Sequence, residues 1–182
     1  MRIETKITDI TYDSITEMTH FGDALLLSDK KAVDAARQNI ASQADSDYMD
    51  GEVHFIIDGD VFFEGETTAL TWLWLDLISF QERFIHDVAE ITFLDSQVSF
   101  FIVEKEEGYQ LQYGKTHFTF NEENIAIHSE ERRMESQLIN KETFIRAIEE
   151  GFIKYREFIV KNQLPISKWQ WQDLLTIKIT ER

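Results

Sequence analysis

The chain has 182 residues, enough for one domain that buries a large core without help from a metal or a disulfide. It contains no Cys, which removes disulfide frameworks, thiol nucleophiles and Cys-ligated zinc, and its 34 acidic against 18 basic residues leave a net charge of −16. A field of that sign repels phosphate backbones and anionic lipid, so direct nucleic-acid and membrane-surface binding are not expected and basic partners are favoured.

In chain order, residues 2–11 read as a strand, with Ile3 and Ile7 on one parity. Ser28 is the expected N-cap of a helix through about residue 43, with Val33, Ala36 and Ile40 on its buried face. Residues 45–51 form a polar turn. Residues 52–58 alternate and place Val53, Phe55 and Ile57 together, Asp58-Gly59-Asp60 signals a hairpin, and Val61-Phe62-Phe63 returns. Thr67 or Thr68 then caps a helix expected to reach His86. Its first half is apolar nearly all round, from Leu70 through Trp72, Leu73, Trp74, Leu75 and Leu77 to Ile78. Asp76 interrupts this run, which is too short to cross a bilayer, and the N-terminus shows no signal-peptide pattern, so a cytoplasmic protein is expected.

A meander over about residues 91–128 follows. Its strands are 91–94, 98–104, 109–113, 117–120 and 125–128, with turns at Glu106-Glu107-Gly108, Gly114-Lys115 and residues 121–124. Asn140 caps the most regular element, a helix to about residue 162. Ile145, Ile148, Phe152, Tyr155 and Ile159 recur at spacings of three and four, Phe144 and Phe158 widen the stripe, and Glu142/Arg146, Glu150/Lys154 and Glu157/Lys161 are spaced to pair on the solvent face. Ser167 and Gln170 resemble a capping box that opens a short helix, and residues 175–180 alternate as a strand would. The expected fold is a single α+β domain, residues 1–182. In it a mainly antiparallel sheet, the meander plus the 52–63 hairpin, packs against helices at about 68–86 and 140–162.

No motif carries chemistry. The run from Asp45 to Gly51 fails as a calcium loop, because its glycine falls at the seventh position and Ile56 stands where a bidentate Glu is needed. None of His20, His54, His86, His117 and His128 pairs at a metal-ligand spacing, though Glu82 and His86 would share a helix face. Nucleophile elbows, phosphate loops and dinucleotide fingerprints are missing, so no catalytic residue, metal or cofactor is expected.

Two features stand out instead. Residues 38–104 hold 14 acids and one base, Arg83, whereas the flanking segments are nearly neutral. Asp45, Asp47, Asp50, Asp58, Asp60, Glu64 and Glu66 are therefore the candidate partner-binding residues, expected to form one negative face. The other feature is the tryptophans Trp72, Trp74, Trp169 and Trp171, which are candidate interface residues. On a helix Trp72 and Trp74 point about 200° apart, so both cannot face one core. The resulting expectation is a small acidic binding protein for a basic protein partner, of the immunity or inhibitor type that neutralises a toxin or nuclease. The alternatives are a homodimer or larger assembly joined through the Trp-rich helix, and a carboxylate or His enzyme without a recognisable motif.

Overall fold

The computed structural model describes residues 1–13, 18–42, 47–96, 98–120 and 126–179. Ile3, Thr5 and Ile7 alternate with Arg2, Glu4 and Lys6 along β1 (Arg2–Asp13), and the first set is buried while the second is exposed or half-buried. β1 pairs with β2 (Met18–Leu26) on one side and β3 (Gly51–Ile57) on the other, and β4 (Asp60–Thr67) completes a four-stranded sheet in the order β2-β1-β3-β4. A second sheet runs β5 (Val88–Thr92), β6 (Val98–Lys105), β7 (Gly108–Phe120), β8 (Ala126–Glu135), with the two-residue β9 (Ile139–Asn140) also on β7. Every pairing within these sheets is antiparallel. The fold is α+β.

Register decides which residues meet. Ile3, Phe55 and Phe63 are directly opposite one another across β1, β3 and β4, so they share the inner face of the first sheet. Phe55 and Phe63 reach Phe100 of the second sheet with ring centroids 4.7 and 4.6 Å apart. Helices α2 (Leu70–Ile78) and α3 (Lys141–Lys161) fill the rest of this space. Trp74 of α2 stacks on Tyr155 of α3, and its indole N–H donates to Thr5 Oγ1 of β1 at 3.1 Å. Tyr155 is fully buried with its hydroxyl 2.7 Å from Thr71 Oγ1, and burial pushes its pKa well above the ordinary phenol range. The buried side chains form one contiguous cluster that draws on both sheets and on α1 (Ala32–Ser42), α2, α3 and α4 (Lys168–Thr176).

Asn140 accepts hydrogen bonds from the Glu142 and Thr143 amides and caps α3 as its sequence implies. Asp58 and Gly59 take φ of 54° and 97°, which makes the two-residue turn between β3 and β4. Other expectations need correction in detail. The 52–63 hairpin and the meander belong to different sheets. β2 gave no sequence signal, and a bulge opposite Asp9 breaks its alternation. Ser28 caps nothing, because α1 starts four residues later, after a turn held by the Asp29 side chain on the Lys31 amide.

α2 stops at Ile78, not near His86. Ser79 donates its hydroxyl to the Leu75 carbonyl, a short 3-10 helix (Phe80–Arg83) follows, and His86 and Asp87 at φ 50° and 65° turn the chain into β5. Glu82 and His86 therefore share no helix face. Gly114 is not a turn but a strand residue opposite both Ser99 and Arg133, so the expected strands 109–113 and 117–120 are one. Ser167 accepts from the Gln170 amide at the start of α4, yet the Gln170 side chain turns inward to the Asp47 carbonyl, so the capping box is half formed. The 175–180 strand is absent over its described part, since α4 runs to Thr176 and residues 177–179 are irregular.

Candidate protein-binding surface

Part of the outer face of the first sheet is built by the even-numbered residues 2–6 of β1, 52–54 of β3 and 64–66 of β4. Lys6, Glu52 and Glu66 lie opposite one another in one row, and Glu4, His54 and Glu64 form the next. Bases sit on β1, where Lys6 Nζ is 3.8 Å from Glu52 and Arg2 pairs with Glu4 at 3.2 Å. Acids accumulate toward the β4 edge. His54 is buried in the second row, with Nε2 2.7 Å from Glu52 Oε2 of the first row and Nδ1 3.6 Å from Glu64 Oε1 of its own. Glu64 and Glu66 are exposed, and among the described residues Glu66 has no ion-pair partner.

The other predicted acids go to different places. Asp45 lies outside the described residues. Asp47 is half-buried and accepts the Trp169 indole N–H at 2.9 Å through Oδ2, so it holds α4 in place. Asp50 continues the ladder beside Glu52, its backbone bonded by the side chain of buried Asn39 through Nδ2 at 3.0 Å and Oδ1 at 3.0 Å. Asp60 is exposed at the hairpin turn, where Asp58 accepts from Gln137 Nε2, near the second sheet. Glu52, Glu64 and Glu66 thus share a face, Asp50 adjoins it, Asp60 stands at its far end, and Asp58 leans away.

The tryptophans divide as their helical directions require. Trp74 is wholly buried, while Trp72 on the opposite side of α2 is 46% exposed and packs on Trp169 with ring centroids 4.4 Å apart. Trp171 is half-buried and donates to the Leu164 carbonyl at 3.2 Å. Beside Trp72 lies a cavity of ≈ 290 Å³ lined by Tyr48, Thr67, Ala69, Trp72, Asp76, Thr92 and Leu94. Asp76 stands one helical turn after Trp72, and burial holds its carboxyl above the ordinary range although the Arg83 guanidinium pulls the other way.

Sequence reasoning passed over Tyr48, Glu52, His54, Asp76 and Leu94 as site residues. The Trp72–Asp76 spacing was available as a signal, but the approach of Thr92 and Leu94 was not, since β5 reaches α2 only through the tertiary fold. The side chains of His117 and His128 lie outside the described residues. Among the described residues no group of three or more His, Asp and Glu could hold a metal, and no helix is long and apolar enough to cross a membrane. No protein-family model, curated protein or solved structure matches this chain.

Proposed function

We propose that the protein is a binding protein for a basic macromolecular partner, of the inhibitor or immunity type, and that it works through the outer face of β3 and β4. The observation that carries this reading is the cross-strand pair Glu52 and Glu66. Like charges directly opposite each other in an antiparallel pair are destabilising, and here Glu64 adds a third carboxylate in the next row. Edge strands are commonly guarded by charge, most often Lys, but guarding needs no single sign. β4 carries Asp60, Glu64 and Glu66 and no base. A cationic surface docked on this edge would relieve the repulsion, and the field would speed its approach.

The test uses an immobilised decapeptide of alternating arginine and lysine, with association measured at low and physiological ionic strength. The Glu64→Gln/Glu66→Gln variant should associate severalfold more slowly and with a shallower salt dependence, while its dissociation rate changes less. Identical association rates for the variant and the parent protein at both salt concentrations would sink the proposal.

A further inference from the structure

We infer that the cavity beside Trp72 is a socket for one arginine side chain of the basic partner, an assignment that rests on the proposed function above. At ≈ 290 Å³ the cavity sits at the bottom of the range for ligand sites, so it suits a single side chain better than a cofactor or a drug-sized molecule. It opens where β4 ends, with Thr67, the residue after Glu66, in its wall. Trp72 supplies the aromatic surface. Trp169 holds that ring, and Trp169 is fixed in turn by its hydrogen bond to Asp47, so the surface is preorganised.

Trp72 and Asp76 lie at i and i+4 on α2, which puts an indole face and a carboxylate side by side. That pair matches a guanidinium, which stacks on aromatic rings and donates in a planar fork, better than it matches an ammonium. The chain itself supplies the precedent. Arg83, the one base among residues 38–104, binds Asp76 through Oδ1, and the other oxygen of that carboxylate is left to a second guanidinium. Leu94, Ala69 and the threonines would line the methylene stem of the incoming residue.

The experiment follows the indole N–H resonances of ¹⁵N-labelled protein during titration with N-acetyl-arginine amide, N-acetyl-lysine amide and N-acetyl-norleucine amide. Signals are assigned with Trp72→Phe and Trp169→Phe. Arginine should shift the Trp72 and Trp169 signals and leave Trp74 in place, lysine should bind about threefold more weakly, and norleucine should not bind. Asp76→Asn should weaken arginine binding about tenfold, while Arg83→Gln should strengthen it by removing a competitor. Near-UV circular dichroism confirms that each variant keeps its core. Glu64 and Glu66 do not line the cavity, so Glu64→Gln/Glu66→Gln should weaken arginine binding far less than Asp76→Asn does, and failure of the acidic face and failure of the socket are separate results. Equal shifts from norleucine and arginine, or no shift with arginine, would overturn the assignment. So would Trp72 shifts that follow protein concentration in step with dimer formation by sedimentation velocity, because a second copy would then be the occupant.

Discussion

Gly151 lies in the middle of α3, where helix propensity alone says that Gly151→Ala should stabilise the protein by about 1 kcal/mol. The packing says the opposite. A Cβ at this position would stand 2.4 Å from Trp74 Cη2, 3.2 Å from Cζ3 and 3.3 Å from Cζ2. Carbon atoms rest about 3.5–4.0 Å apart, so the indole would have to retreat by roughly 1 Å. Trp74 is poorly placed to do so, being fully buried, hydrogen-bonded to Thr5 and stacked on Tyr155. Overpacking of a tight core costs about 1–3 kcal/mol, and a held ring belongs in the upper part of that range. The net expectation is a loss of about 1–2 kcal/mol, or a Tm lower by about 2–8 °C for a chain of this size.

Urea titration followed by tryptophan fluorescence measures the loss directly. The cause is isolated by a double-mutant cycle with Trp74→Phe, which removes the colliding ring atoms. On that background Gly151→Ala should regain its helix benefit of about 1 kcal/mol, giving a coupling of about 2–3 kcal/mol. A Gly151→Ala protein more stable than its parent would refute the reasoning, because Trp74 would then be free to move.

Phe152→Ala deletes a fully buried ring beside Trp74 and should cost about 3–5 kcal/mol in the same titration; a loss under about 1 kcal/mol would place the α3 stripe outside the core. Glu66→Lys turns the repulsive pair with Glu52 into an attractive one and should raise stability by about 0.2–1 kcal/mol at low salt, a gain that salt erodes; a loss of stability would mean Glu66 is not opposed by Glu52 in solution. Asp76 gives a pH prediction. Burial raises its carboxyl pKa in the fold, so its stabilising contribution is complete below the ordinary value of 3.8 and is lost as pH rises through the raised value. The Tm of Asp76→Asn relative to the parent should therefore climb as pH rises above the ordinary carboxyl value of 3.8, and a relative Tm that falls instead would show that Arg83 wins over desolvation.

The elements that could be read from the amino acids are those whose causes lie within a few residues of one another. α3 follows from the Asn140 cap and the spacing from Phe144 to Ile159, and the β3–β4 hairpin follows from Asp58-Gly59 between alternating runs. The spacing of Trp72 and Trp74 likewise required one of them to lie outside the core. Which one could not be read locally, because the answer depends on Gly151 and Thr5, which are 77 and 69 positions from Trp74 and make the niche that its ring enters. The early end of α2 has the same character: Phe80 leaves the helical path to meet Tyr109 and Phe144, contacts that no window around Phe80 contains. Gly114 reads as a turn until β6 and β8 bind both of its edges. The negative charge of residues 38–104 is plain in the sequence, but its distribution follows strand register. Register sets Glu52, Glu64 and Glu66 side by side, while long-range packing turns Asp47 toward Trp169 and brings Leu94 to the Trp72 cavity. Propensity, caps and turns act over about one helical turn or one strand pair, whereas burial and register are properties of partners that the chain brings together only on folding.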